Sequence, residues 1–211
     1  MKIEGEHVFK GPREAVWEMF YDPQVLASAI PGMDKLDQIS ENEFRGVMNL
    51  RIGPVSGKFE GKLSLTDVVP PESLTLTVDG RGGPGFAKGV GKVNLVEQEG
   101  DETVLKYAGD VNIGGALASV GQRMIDSVSK SMIRQAFDIL DKNLEARLAA
   151  KDSGSEVVNF TPPSQTELAA GVAKDVVGGF TKIAEVRMLI YVVSLVAVLL
   201  AVMFIVKACS G

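Results

Sequence analysis

FRGVMNLRIGPVSGKFEGKLSL, residues 44–65, is the stretch of the sequence that decides the fold. On either side of Gly53-Pro54, apolar side chains or glycines occupy every second position, and mostly Arg, Asn, Lys, Glu or Ser lies between them. A period of two residues is typical of a strand with one buried and one solvated face. The stretch therefore predicts two neighbouring strands of a half-buried antiparallel sheet.

The same alternation predicts four more strands outside this stretch. It recurs around residues 74–78, 93–95 and 105–111, where Thr, Lys and Asn again occupy the alternate positions. The N-terminal segment 2–10 is also predicted as a strand. The sheet is therefore expected to be a long antiparallel meander preceded by one separate strand.

Three helices are predicted around this sheet. Gly11-Pro12 and Asp22-Pro23 each place a proline at the first position of a short helix, and the second helix ends at Pro31-Gly32. After Gly114-Gly115 the apolar period lengthens to three or four residues, which predicts a helix of about 30 residues. Its apolar stripe comprises Leu117, Val120, Met124, Val128, Met132, Ala136, Leu140 and Leu144, widened by Ile125, Ile133 and Phe137.

This order of elements predicts an α+β domain of the helix-grip type at residues 1–149, with the curved sheet wrapped around the long third helix. Six glycines fall on the inward positions of the strands: Gly46, Gly57, Gly61, Gly89, Gly91 and Gly109. A glycine on this face either lets the sheet bend and the helix approach closely, or leaves an empty space. Six on one face favour a hollow interior.

The C-terminal tail predicts a membrane span. Residues 188–206 contain no charge, no Pro and no Gly, and 19 residues of helix span roughly 28 Å, close to the hydrocarbon thickness of a bilayer. More Lys and Arg precede this run than follow it, which predicts that the N-terminal domain faces the cytoplasm from a single-pass anchor in the cell membrane. Residues 150–187 have the composition of a linker and are expected to be partly helical.

Composition excludes several classes of protein. The net charge of −5, with 22 Lys and Arg scattered along the chain, gives no basic patch for a nucleic acid. Cys209 is the only cysteine, so neither a disulfide framework nor a cysteine metal site is expected. His7 is the only histidine, and without a patterned partner it is expected to be structural. No metal site is therefore predicted.

No catalytic constellation is predicted either, and the chain is expected not to be an enzyme. The glycines of Gly80–Gly85 match a dinucleotide fingerprint, but a strand rather than a helix follows them, so no helix N-terminus is available for a pyrophosphate. Two interpretations of this segment remain: a mobile loop at a cavity mouth with Phe86 as a lid, or an ordinary glycine-rich hairpin. Most carboxylates lie in or beside predicted turns, as solvated charges do.

Several segments within residues 1–148 form a recognisable series. They are Asp22-Pro23 to Ile30-Pro31-Gly32, Ile52 to Gly61, Gly83 to Gly89, and Leu105-Lys106-Tyr107 followed by Ile113 to Ala118 and Gly121 to Ile125. In these segments the chain resembles the CoxG family of carbon monoxide dehydrogenase subunits, within the START-like, Bet v 1-like (SRPBCC) helix-grip superfamily. The resemblance implies an accessory protein that brings a molybdenum- and flavin-containing hydroxylase, typically carbon monoxide dehydrogenase, to the membrane.

The electrons of such an enzyme must reach the respiratory chain, whose mobile carriers are isoprenoid quinones dissolved in the bilayer. The expected ligand is therefore such a quinone, with menaquinone as one candidate, and no covalent cofactor is expected. The alternative is a pure membrane anchor for the dehydrogenase without ligand transport. Tyr107, which has a hydrogen-bonding tip, is expected near the polar head of the ligand. The residues expected to line the cavity are Phe20, Leu26, Ile30, Met48, Leu50, Phe59, Leu63, Leu76, Phe86, Val93, Leu95, Tyr107, Leu117, Val120 and Met124.

Overall fold

The computed structural model describes residues 1–152. The predicted linker beyond residue 152 and the predicted membrane span at 188–206 lie outside the described residues. Within residues 1–152, no helix is both long enough and apolar enough to cross a membrane.

The described residues form a curved seven-stranded antiparallel sheet and three α-helices. The strands lie side by side in the order β1-β7-β6-β5-β4-β3-β2, so the first strand pairs with the last and both β1 and β2 are edge strands. In chain order the elements are β1 (Lys2–Phe9), α1 (Arg13–Met19), α2 (Pro23–Ala29), β2 (Met33–Ser40), β3 (Glu43–Ile52), β4 (Val55–Val69), β5 (Ser73–Gly82), β6 (Gly85–Gln98), β7 (Glu102–Gly115), a 3-10 turn (Ala116–Val120) and α3 (Gln122–Asp152).

The helix-grip fold and its three helices are confirmed, except that Leu117 and Val120 of the predicted third helix lie in the 3-10 turn before α3. One strand was not predicted. β2 pairs with β3, and its register shifts between Met33 and Lys35 and again between Gln38 and Ser40. Each shift breaks the alternation of inward and outward side chains, because an extra residue turns the rest of the strand over. The apolar residues of β2 consequently recur every third position, at Met33, Leu36 and Ile39, and carry no period of two.

The second short helix begins as its sequence predicts and is tied to α3. The carboxylate of Asp22 accepts hydrogen bonds from the backbone N–H groups of Gln24 and Val25, at 2.9 and 3.3 Å, and thereby caps α2. The same carboxylate forms an ion pair with the guanidinium of Arg147 on α3. Arg147 also donates a hydrogen bond from Nε to Oδ1 of Asn143 at 2.7 Å, which holds the guanidinium in place.

We expect the substitution Asp22→Ala to lower the free energy of unfolding by about 1–2 kcal/mol, because it removes both the cap of α2 and the partner of Arg147. Asp22→Asn keeps a capping side chain and removes only the charge, so its expected loss is less than about 1 kcal/mol. Urea unfolding followed by circular dichroism measures both variants. Equal losses in the two would contradict the capping role.

The packed core lies at one end of the domain. Side chains of α1, α2 and the C-terminal half of α3 meet the sheet there, in a cluster of Phe9, Val16, Trp17, Met19, Val25, Ala29, Phe44, Leu65, Leu74, Val93, Leu95, Leu105, Ile139, Leu140 and Leu144. Six further buried apolar side chains lie outside that cluster: Ile52, Phe59, Leu117, Ile125, Val128 and Ala150. The domain is therefore tightly packed around one half of α3 and less so around the other.

Candidate ligand-binding site

An apolar chamber of about 300 Å³ lies on the inner face of the sheet, the face that carries core residues such as Leu74, Val93 and Leu105. The chamber extends over β5, β6, β7 and β1. Its lining is provided by Ile3, Leu76, Val78, Ala87, Lys88, Gly89, Val90, Gly91, Lys92, Val93, Tyr107, Ala108, Gly109 and Val111. Lys88, Val90, Lys92 and Ala108 alternate with the inward residues along their strands.

The six inward glycines divide into two groups, and in the first group the space is already occupied. A Cβ atom at Gly57 would lie 2.5 Å from the ring of Pro84, and one at Gly46 would lie 3.1 Å from a methyl of Leu36. At Gly109 a Cβ atom would lie 2.7 Å from the carbonyl oxygen of Val90 on the neighbouring strand. These three glycines are explained by close approach of a side chain or of the backbone.

The second group is Gly61, Gly89 and Gly91. The atoms nearest to a Cβ at these positions belong to neighbouring strands, at 3.2, 3.3 and 3.6 Å respectively, and not to α3. Close approach of the helix is therefore not the reason for glycine at these positions. At Gly91 in particular, all contacts of a Cβ atom would be at ordinary van der Waals distances. Gly89 and Gly91 line the chamber over β5–β7, whereas Gly61 on β4 does not line it, and Gly46 and Gly57 on the β3–β4 hairpin are covered by Leu36 and Pro84.

The exposure of Val78 also indicates an open interior. Val78 pairs with Leu63 on one side and with Gly89 on the other, so it faces the inside of the domain. Its side chain is nevertheless 43% exposed. An apolar side chain on the face that the long helix covers is normally buried, because exposure forfeits its hydrophobic stabilisation. The inner face of β5 is therefore uncovered at this point.

A groove of about 520 Å³ runs between β1 and the N-terminal half of α3, next to the chamber. Its apolar lining includes Ile3, Ile133 and Phe137. Charged residues from both elements surround these side chains: Lys2, Glu4, Glu6, Asp126, Lys130, Arg134 and Asp138. Ile3 and Tyr107 line both the groove and the chamber, so the two spaces adjoin at these residues.

Tyr107 stands between the two spaces and has an uncommitted hydroxyl. The ring of Tyr107 lies over Gly5 of the paired strand β1, where a Cβ atom on residue 5 would be 2.5 Å from the Tyr107 Oη atom. The centroids of the Tyr107 and Phe137 rings are 5.7 Å apart. Among the residues that the structure describes, no group forms a hydrogen bond with this hydroxyl. Burial raises the pKa of Tyr107 above 10.0, so the hydroxyl is a donor at neutral pH.

His7 fastens β1 to α3 at the inner end of the groove. Its Nε2 atom lies 3.0 and 3.1 Å from the two carboxylate oxygens of Asp141, and its ring stacks on Phe137 with the centroids 4.4 Å apart. The rings of His7 and Phe9 pack in an edge-to-face arrangement, with their centroids 4.7 Å apart. All of these contacts fit a structural role for His7. In residues 1–152 no three metal-ligating side chains come together.

The structure scatters the fifteen predicted lining residues and places one of them, Phe86, on the outer face of the sheet. Leu76, Val93 and Tyr107 line the chamber. Val93 and Leu95 are buried in the core cluster, and the side chains that pack against it are Phe20, Leu26, Leu63, Leu76 and Tyr107. Phe59 and Leu117 are buried outside it, and the half-buried remainder is Ile30, Met48, Leu50, Phe86, Val120 and Met124. The chamber residues absent from the predicted set include Ile3, Val78 and Val111.

The predicted lid loop is wrong, and the alternative of a glycine-rich hairpin is correct. β5 ends at Gly82 and β6 begins at Gly85, so only Gly83-Pro84 connects them. Phe86 lies within β6, and its ring packs against Gly114 of β7. Since Ala87 lines the chamber, Phe86 faces the opposite side of the sheet. The tight turn is possible because Gly85 adopts a φ of 141°.

Comparison with known proteins identifies the family. The sequence profile of the CoxG family, described as a subunit of carbon monoxide dehydrogenase, matches residues 5–145. Among curated proteins, none matches the chain. A conserved protein from Geobacillus kaustophilus, whose crystal structure is known, is 32% identical, with a TM-score of 0.66; the match covers 69% of this chain and 95% of that one.

Two more distant structures share the fold alone. A START superfamily protein from Mycobacterium smegmatis is 13% identical with a TM-score of 0.53, and the match covers 68% of this chain and 97% of that one. The Zhui aromatase/cyclase from Streptomyces sp. R1128 is 12% identical with a TM-score of 0.54, and the match covers 74% of this chain and 98% of that one. These two likenesses show a START-like fold.

Proposed function

Since the chain belongs to the CoxG family of carbon monoxide dehydrogenase subunits, we propose that it is a membrane-tethered carrier of an isoprenoid quinone such as menaquinone. The carrier presents the quinone to a molybdenum-containing hydroxylase, such as carbon monoxide dehydrogenase, and recruits that enzyme to the membrane. The proposal assigns the chain no catalytic step: the enzyme supplies the electrons, and the domain supplies the acceptor. The observation that carries the proposal is the apolar chamber on the inner face of the sheet.

The chemistry of the chamber suits an apolar ligand with one polar end. Its inward side chains are aliphatic, apart from Tyr107, whose hydroxyl is a free donor within residues 1–152. A quinone carbonyl is an acceptor and would pair with that donor. The part of the ligand within the chamber would contact mainly the aliphatic side chains of Leu76, Val78, Val93 and Val111.

A protein carrier is needed because the free quinone does not leave the bilayer. Moving an isoprenoid tail into water costs about 0.8 kcal/mol per CH₂ group, which is prohibitive for tens of carbons. Apolar side chains around the ligand replace the lipid and remove most of that cost. The apolar run at 188–206 would keep the domain at the membrane, on its cytoplasmic side, and so raise its effective concentration near the quinone pool.

Ligand analysis of the purified full-length chain tests the proposal directly. We expect organic extraction to release an isoprenoid quinone, identified by its ultraviolet spectrum and its mass, in an amount that approaches one molecule per chain. An unrelated protein with a single membrane span, purified in the same detergent, controls for quinone carried in residual lipid. Equal amounts of quinone in the two preparations would contradict the proposal and favour the pure anchor.

A further inference from the structure

The chamber is too small for the whole of a long-chain ligand. Its volume of about 300 Å³ lies at the lower end of the range of small-molecule sites in proteins, about 300–1,000 Å³. A compact ring system fits this volume, but an isoprenoid chain of tens of carbons does not fit beside it. A long chain attached to such a ring would therefore extend beyond the chamber.

The floor of the chamber has no Cβ atoms at its centre, because a pair of glycines lies there. Gly91 of β6 and Gly109 of β7 are directly opposite each other, and both line the chamber. The backbone explains Gly109, but it does not require glycine at position 91, where a Cβ atom would meet only the Ala108 carbonyl oxygen at 3.6 Å and the Gly109 Cα at 3.8 Å. A glycine in a strand interior weakens the strand, and it often marks a place where a ligand approaches the backbone closely.

Aliphatic side chains around the glycine pair complete a site that suits a planar group. Leu76, Val78, Val93 and Val111 surround the glycine pair with aliphatic side chains. A saturated chain packs equally well against side chains elsewhere in an apolar interior, so a floor without Cβ atoms gives it no advantage. A planar ring gains contact over its whole face when no Cβ atoms protrude beneath it.

The groove between β1 and α3 offers the rest of the ligand a way out. It adjoins the chamber at Ile3 and Tyr107, and the apolar side chains of Ile133 and Phe137 continue it along α3. A chain attached to a ring in the chamber would therefore pass Tyr107 on its way along the groove. The hydroxyl of Tyr107 would then lie beside the polar edge of the ring.

We propose that the chamber seats a flat ring bearing a carbonyl acceptor, that Tyr107 donates a hydrogen bond to this acceptor, and that the apolar chain of the ligand leaves along the groove between β1 and α3. The inference rests on the proposed function and specifies which part of the ligand is recognised. On this arrangement the carrier distinguishes ligands by their ring. An open groove does not distinguish one apolar chain from another.

Binding of ring and chain as separate molecules tests this division. The full-length chain is placed in phosphatidylcholine nanodiscs and titrated with 1,4-naphthoquinone, which is the ring without a chain, and with palmitate, which is a chain without the ring. Empty nanodiscs provide the reference for partition into lipid. We expect saturable binding of the naphthoquinone, and we expect Gly91→Val to weaken it at least tenfold because its side chain would occupy the floor.

Gly80→Val is the matched control. Gly80 faces inward on β5, where a Cβ atom would contact only the Ala87 carbonyl oxygen at 3.6 Å, and it does not line the chamber. The affinity of the Gly80→Val variant for the naphthoquinone is expected to stay within twofold of that of the unmodified chain. Circular dichroism checks that both variants fold, and Gly91→Ala, with a smaller expected loss, replaces Gly91→Val if the larger side chain prevents folding.

Tyr107→Phe tests the hydrogen bond separately. Loss of one neutral hydrogen bond is expected to weaken naphthoquinone binding by roughly threefold to tenfold. Binding of naphthalene, which has the ring but no carbonyl oxygen, is expected to stay unchanged in this variant. An equal loss for both ligands would overturn the donor role of Tyr107.

The other outcomes separate this inference from the proposed function. If palmitate binds and the naphthoquinone does not, or if Gly91→Val leaves naphthoquinone affinity unchanged, the ring seat is overturned while an apolar-ligand carrier stands. If neither probe binds and extraction of the full chain yields no quinone, the carrier function is overturned together with the ring seat.

Discussion

Val78→Phe is expected to abolish quinone carriage and to reduce electron transfer from the partner dehydrogenase to the membrane at least tenfold, while recruitment of the dehydrogenase stays intact. Val78 faces inward and is 43% exposed, so a larger side chain has room and would occupy the chamber. The change needs no rearrangement of the packed core, because Val78 lies outside the core cluster. Filling this space removes the site without removing the scaffold.

The measurement compares quinone reduction and enzyme recruitment in membranes that contain each variant. Val96→Phe is the control: Val96 is 41% exposed, but it lies on the outer face of β6 and does not line the chamber. This control is expected to keep both activities. A pure anchor predicts a different pattern, in which Val78→Phe also retains electron transfer, and that result would overturn the carrier function.

Removal of residues 153–211 is expected to transfer essentially all of the protein from the membrane fraction to the aqueous fraction of a cell lysate. The deleted part contains the 19 uncharged residues of 188–206, and an apolar run of this length is long enough to span a bilayer as a helix. The cut follows Asp152, the last residue of α3, so every element of the helix-grip domain is retained. Immunoblotting of the two fractions after a carbonate wash measures the change.

The same truncation separates tethering from ligand binding. The shortened chain is expected to bind naphthoquinone with the affinity of the full-length chain, because all residues of the chamber are retained. Replacement of residues 188–206 by an unrelated apolar sequence of equal length should restore the membrane location. A truncated chain that stays in the washed membrane fraction would contradict the tether.

The elements that were predicted from the sequence are those with an uninterrupted period. β3, β4 and α3 carry regular alternation or a regular helical stripe, and each was predicted with its inward face. β2 was missed because its bulges break the alternation. The segment at Gly83-Pro84 stayed undecided because a glycine-rich stretch is compatible with either a loop or a tight hairpin, and the choice depends on the pairing of two distant strands.

The site was harder to predict than the fold for a physical reason. Alternation identifies which side chains face inward, but it does not reveal which inward positions of different strands are neighbours. Ile3 reaches the chamber because it pairs with Gly109, more than a hundred residues away in the chain. Conversely, Pro84 folds over Gly57 and occupies a space that the inward glycine alone suggested was empty. Both facts depend on tertiary packing and leave no local signal.

The uneven packing along α3 gives the two halves of this helix different roles in the domain. The C-terminal half of the helix holds α1, α2 and the sheet together, and the N-terminal half borders the groove beside the chamber. The chamber residues Ile3, Val78 and Val111 lie outside the core cluster, so substitutions there are expected to cost less folding stability than substitutions within the cluster. The shape of the chamber can therefore be altered at a few positions with the packed core left as it is.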